Sequence, residues 1–191
     1  MVVFVQASEG LRWVAVIAFC VAAVIVVRRL GAVGDRESDA AHLLMCLVML
    51  AMLVFPAAAD PRAVRGVLTA MTVVYALVLG GRILQWRSDI RQSGAGGNVM
   101  AFAYHVAAAA AMLYAMGGHR MAGMAMPGGP AAGPALTLAV LFAVDALVMT
   151  VPWSRHAVRH VLPHPVGAMA VLPHVVMDLG TAYMLVIAVA G

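Results

Sequence analysis

The sequence predicts an all-α integral membrane protein, a bundle of six transmembrane helices. Three observations lead there. The 191 residues are 64% hydrophobic and only 10% charged, where a soluble domain carries about 25% charged residues. The apolar residues fall in long runs rather than at amphipathic spacing. Six of those runs approach or exceed the roughly 20 residues that a helix needs to cross a hydrocarbon layer about 30 Å thick.

The expected spans are 11–30, 40–57, 65–86, 98–117, 134–153 and 166–190, within one domain covering 1–191. Backbone that faces lipid must satisfy its own hydrogen bonds, and these runs are far longer than the roughly 9–11 residues of a barrel strand, so helix is the expected state. "GAVGDRESDA" separates spans one and two, with Asp39 expected as the cap of the second. "PAAADPRAVRG", "RSDIRQSGAGGN" and "SRHAVRHVLPHP" make three further breaks, and a Met-rich segment, 117–133, makes the fifth. "MVVFVQASEGLR" lacks the early positive charge of a cleaved leader, so the first span is expected to anchor the mature protein. Gly80 and Gly81 close span three and are expected to allow a close helix contact or a bend. Trp13, Tyr75, Trp86, Tyr104, Tyr114 and Trp153 fall largely near span ends, the place of interfacial aromatics. Cys20 and Cys46 lie inside apolar runs and read as buried small hydrophobes, neither a disulfide nor a metal pair.

Every basic residue is Arg. No basic run exists, which argues against nucleic-acid binding, and the Ala, Gly and Arg usage points to a GC-rich bacterial genome and hence to a bacterial plasma membrane. Arg28, Arg29, Arg36, Arg82, Arg87, Arg91, Arg155 and Arg159 lie on one side of the six-span plan; Arg12, Arg62, Arg65 and Arg120 lie on the other. The arginine-rich side is expected in the cytoplasm, so both termini and the Met-rich loop are expected outside it.

Spans two, four and six share a pattern. Span two carries His42, Met45, Met49 and Met52; span four carries His105, Met112 and Met116; span six carries His174, Met177 and Met184. Each helical residue turns about 100°, so offsets of 3, 7, 10 and 11 return near the face of the His. Soft thioethers and neutral imidazoles suit monovalent copper. The loop "GGHRMAGMAMPGG" adds His119, Met121, Met124 and Met126, a candidate copper-collecting flap whose glycines leave the backbone free to fold around an ion. The plainer readings stay open: Met as a flexible gap-filler, His as a hydrogen-bonding group between helices, and the loop as a small-residue connector.

Two carboxylates lie in the spans. Asp178 follows His174 at i+4 and so shares its face, where it would orient a ligand imidazole, serve a proton relay, or hydrogen-bond between helices. Asp145 sits mid-span in "LFAVDALVM", with functional and hydrogen-bonding readings both open. Pro173 is expected to kink or interrupt span six beside His174. His156, His160 and His164, flanked by Arg155 and Arg159, read as an interfacial turn meeting anionic headgroups rather than as a second metal site.

The stretches "HLLMCLVMLAM", "HVAAAAAMLYAM" and "HVVMDLGTAYML" resemble an uncharacterised actinobacterial family of small multi-span membrane proteins, a domain of unknown function. The resemblance spans most of the chain and implies about six helices; it brings no activity and no site residues. The Met-rich loop is similar to segments of bacterial copper-resistance and copper-delivery proteins.

Three functions follow as expectations. The first is Cu(I) binding, transport or delivery to a respiratory cuproenzyme, with ligands drawn from His42, Met45, Met49, His105, Met112, Met116, His119, Met121, Met124, Met126, His174, Met177 and Asp178. The second is electron transfer through a b-type haem held by His105 and His174. The third is a non-catalytic subunit of a larger membrane complex. Motifs of hydrolases, kinases and dehydrogenases are missing, so catalysis is not indicated. The bilayer is the expected partner, with homo-oligomerisation as a default.

Overall fold

A computed structural model describes residues 2–30, 36–55, 60–88, 95–116, 131–151 and 168–190. These form six helices: α1 (Val2–Leu30), α2 (Arg36–Val54), α3 (Pro61–Ser88), α4 (Ala95–Met116), α5 (Ala132–Thr150) and α6 (Ala168–Ala190). Each contains a stretch long and apolar enough to cross a membrane, from Glu9–Leu30 in α1 to Val171–Val189 in α6. There is no strand among the described residues. The chain is an all-helical, multi-pass membrane protein.

The helices α2, α4 and α6 form the inner group, each touching the other two. Around them, α1 packs on α2 and α6, α3 on α4, and α5 on α6 and α4. The residue types account for this division. Lipid is as apolar as Leu, so helices in a bilayer associate through close packing and interhelical hydrogen bonds. The α4 face carrying Ala108, Ala109, Ala111 and Ala115 is buried, as are Ala135, Ala139 and Ala146 of α5. Their small side chains let backbones approach. Large aliphatics such as Val14, Ile17, Leu77, Leu141 and Leu147 face outward, where lipid solvates them.

Ion pairs tie helix ends together. Asp39 lies within the first turn of α2 rather than capping it, because Arg36, Glu37 and Ser38 already continue the helix. Its carboxylate instead meets Arg29 of α1 at 3.0 Å. Arg82 of α3 pairs with Glu37 of α2. These contacts place the C-terminal ends of α1 and α3 beside the N-terminal end of α2. At the opposite end the Tyr114 hydroxyl of α4 donates to the Ala131 carbonyl preceding α5, at 3.3 Å.

Several local expectations are corrected. A Cβ built on Gly80 or Gly81 meets nothing within 4 Å, so no helix approaches there, and α3 runs on to Ser88. The close approach is at Gly180 of α6, where an added Cβ would collide with Phe19 Cζ and lie 3.1 Å from Met49 Cε. Cys46 is buried, but Cys20 faces outward on α1; both are free. Tyr75 is no interfacial aromatic: it is buried midway along α3 and donates to the Ala41 carbonyl of α2 at 3.1 Å. Trp13 and Trp86 are exposed, and Trp153 lies outside the described residues. Helix α6 passes through Pro173 without interruption. Pro173 is only its sixth residue, so the missing N–H affects a single carbonyl near the helix start.

Candidate metal centre in the inner helices

His42 and His174 each lie six residues into their helices, about 9 Å along the axis, and His105 lies ten residues into α4, about 15 Å. Asp145 is five residues before the end of α5, about 8 Å from that terminus. Helices α2, α4 and α6 run in one direction and α5 runs against them, so these side chains occupy one level of the bundle. The His42 and His105 rings meet edge-to-face with centroids 4.3 Å apart, and His42 and His174 are 6.2 Å apart. Tyr104 lies against both other imidazoles, at 4.1 Å from His174 and 5.6 Å from His105.

The hydrogen bonds divide this cluster into two parts. In the first, His42 Nδ1 is 3.1 Å from the Ser38 carbonyl of its own helix. A carbonyl only accepts, so Nδ1 carries the proton and Nε2 of the neutral ring keeps its lone pair, the arrangement that orients ligand histidines. His105 is fully buried; its Nε2 is 3.5 Å from Ser38 Oγ, and its Nδ1 has no partner. A buried polar atom without a hydrogen bond is uncommon and calls for a reason.

In the second part, His174 Nε2 is 3.0 Å from Asp145 Oδ2 and 3.6 Å from Asp178 Oδ2. The Tyr104 hydroxyl donates to Asp178 Oδ1 at 2.6 Å. Asp178 is fully buried and Asp145 is partly open. Among the described residues, the group of His, Cys, Asp or Glu side chains whose ligand atoms all lie within 4.8 Å of one another is Asp145, His174 and Asp178. The Tyr104→Phe variant removes the donor to Asp178 and should lower stability by about 1–2 kcal/mol; reversible unfolding in mild detergent mixtures reads that change, and an unaltered midpoint would show the bond to be energetically idle.

The methionines continue from the histidines along the same helices. Met45 and Met49 of α2, Met112 of α4 and Met177 of α6 are each at most 1% exposed. Met52, Met116 and Met184 pack partly buried against the same core. Met71 of α3, which follows no His, is buried there too. His119, Met121, Met124 and Met126 of the proposed flap lie outside the described residues, as do His156, His160 and His164.

The roles of Ser38, Tyr75 and Tyr104, and the place of Asp145 beside His174, are not directly legible in the sequence. The "YH" pair offered a signal for Tyr104, since adjacent helical residues lie only about 100° apart. Nothing local marks Ser38, which matters only because α4 places His105 beside it.

Comparison with known proteins gives a family. The domain of unknown function DUF5134 matches residues 34–188. The chain belongs to that family. The matched region takes in α2 to α6, but for the last two residues of α6, and all the clustered side chains, and leaves out the whole of α1. No curated protein and no solved structure matches.

Proposed function

We propose that this DUF5134 protein handles monovalent copper, binding Cu(I) within the membrane for transport or for delivery to a cuproenzyme. The observation that carries this reading is the unpartnered Nδ1 of fully buried His105, 4.3 Å ring-to-ring from His42. Buried sulfur follows on the same helices at Met45, Met49 and Met112. Two imidazoles and a thioether are neutral ligands that suit Cu(I), which accepts low coordination numbers and soft donors. Met177 extends the sulfur face onto α6.

In this reading the His end of the bundle faces the cytoplasm, as the arginine distribution favours, and the Met-rich loop collects copper on the outer side. The family's expected home is an actinobacterial plasma membrane.

The haem reading has less in its favour. His105 is enclosed by the rings of His42, Tyr75, Phe102 and Tyr104, and Tyr104 also covers His174. A macrocycle would have to displace Tyr104 from both.

The test is anaerobic titration of purified protein with Cu(I) against the chromogenic chelator bicinchoninate. The expected result is at least one tightly held Cu(I) that survives Met121→Leu/Met124→Leu/Met126→Leu, with that triple variant losing further equivalents held by the loop. A preparation that yields all its copper to weak chelator, or that is red with a Soret band, would contradict the proposal.

A further inference from the structure

We infer that Asp145, His174 and Asp178 form a second metal site, for a divalent transition-metal ion of the zinc class. It is distinct from the soft site at His42 and His105 and does not depend on the copper reading.

The spacing is the first argument. Four ligands at about 2.0–2.1 Å from a tetrahedral ion stand roughly 3.3 Å apart from one another. The two distances from His174 Nε2, 3.0 Å to Asp145 Oδ2 and 3.6 Å to Asp178 Oδ2, bracket that edge. All three ligand atoms fall within 4.8 Å of one another, so small rotations close the set.

Charge is the second argument. Two carboxylates and a neutral imidazole carry two negative charges, which a divalent ion cancels. Charge left uncompensated in a bilayer is costly, so a matched set is favoured there. Cu(I) would leave one negative charge over, and its soft character disfavours carboxylate.

An orphan atom points to the same site. Asp178 is fully buried, and its Oδ2 has no hydrogen-bond partner although it points within 3.6 Å of His174 Nε2. Its other oxygen is held by the Tyr104 hydroxyl at 2.6 Å, a contact that fixes the carboxylate as an outer-shell group fixes a metal ligand. Asp145 keeps 41% of its side chain exposed, so the described helices leave a position beside it for a fourth ligand.

The experiment uses the full chain in detergent, stripped with chelator and titrated with Co2+ as a coloured stand-in for Zn2+. One equivalent is expected, with the intense visible bands of a four- or five-coordinate ion, displaced by one equivalent of Zn2+. Asp145→Asn, which alters a partly exposed position, should weaken Co2+ binding about 100-fold, and Asp178→Asn should do the same with the helical circular dichroism unchanged. Met45→Leu/Met49→Leu/Met112→Leu should leave Co2+ binding intact, so failure of the copper reading is separable from failure of this one. Absence of a one-to-one Co2+ complex would overturn the inference. So would full binding in Asp145→Asn together with its loss in His156→Ala/His160→Ala.

Discussion

Replacing Met45, Met49 and Met112 together by Leu should weaken Cu(I) binding at least ~100-fold while the bundle stays folded. The three side chains are buried on α2 and α4 along the faces that carry His42 and His105. Leu and Met have similar volumes, and swaps of this kind usually cost less than about 1.5 kcal/mol each. The substitution therefore removes sulfur with little change in packing. If these methionines only fill space, copper affinity will not move. Competition with bicinchoninate measures the affinity, and the thermal midpoint by circular dichroism shows that the helices persist. A large loss of affinity at a nearly constant midpoint separates ligation from packing, which deletion to Ala would not, because cavities of this size cost about 2–5 kcal/mol by themselves.

The second large effect is on stability. Gly180→Leu should destabilise the protein by about 3 kcal/mol. The Cβ alone would collide with Phe19 Cζ and lie 2.9 Å from Cε2, and Phe19 is itself only 1% exposed, so its ring has little room to withdraw. Met49 Cε at 3.1 Å closes another side. A side chain at 180 must therefore push α1 away from α6. Leu is a better helix former than Gly by up to about 1 kcal/mol, which offsets only part of this. Combining Gly180→Ala with Phe19→Leu should recover stability relative to the sum of the single changes, because the two side chains compete for one volume. Unfolding in detergent mixtures measures both; additive effects would mean that the contact between α1 and α6 is not tight.

The six helices were legible because a bilayer imposes a length requirement that composition alone reveals. Helix limits fell within a few residues of the expected spans, apart from α1, whose helix begins at Val2 although its crossing segment begins at Glu9. The shared face of His42, Met45 and Met49 was legible from the helical period. What periodicity does not contain is which helix stands opposite. Gly80 and Gly81 looked like a contact and face open space, while Gly180, one glycine in an apolar run, is where Phe19 arrives from α1. Tyr104 looked like an interfacial ring and instead binds Asp178, since its hydroxyl finds a carboxylate 74 residues away. Asp145 was visible as a polar residue in mid-span, but its pairing with His174 depends on α5 and α6 packing side by side. The division of the histidines, with His42 and His105 beside Ser38 and His174 between two carboxylates, is likewise a property of the assembled helices.

The most direct test of the account is X-ray absorption at the copper edge of the purified protein loaded anaerobically with one equivalent of Cu(I). A first shell of both imidazole nitrogen and thioether sulfur at low coordination number is expected, with the nitrogen component lost in His42→Phe/His105→Phe. A shell of oxygen and nitrogen without sulfur, or a spectrum unchanged by that double substitution, would contradict it.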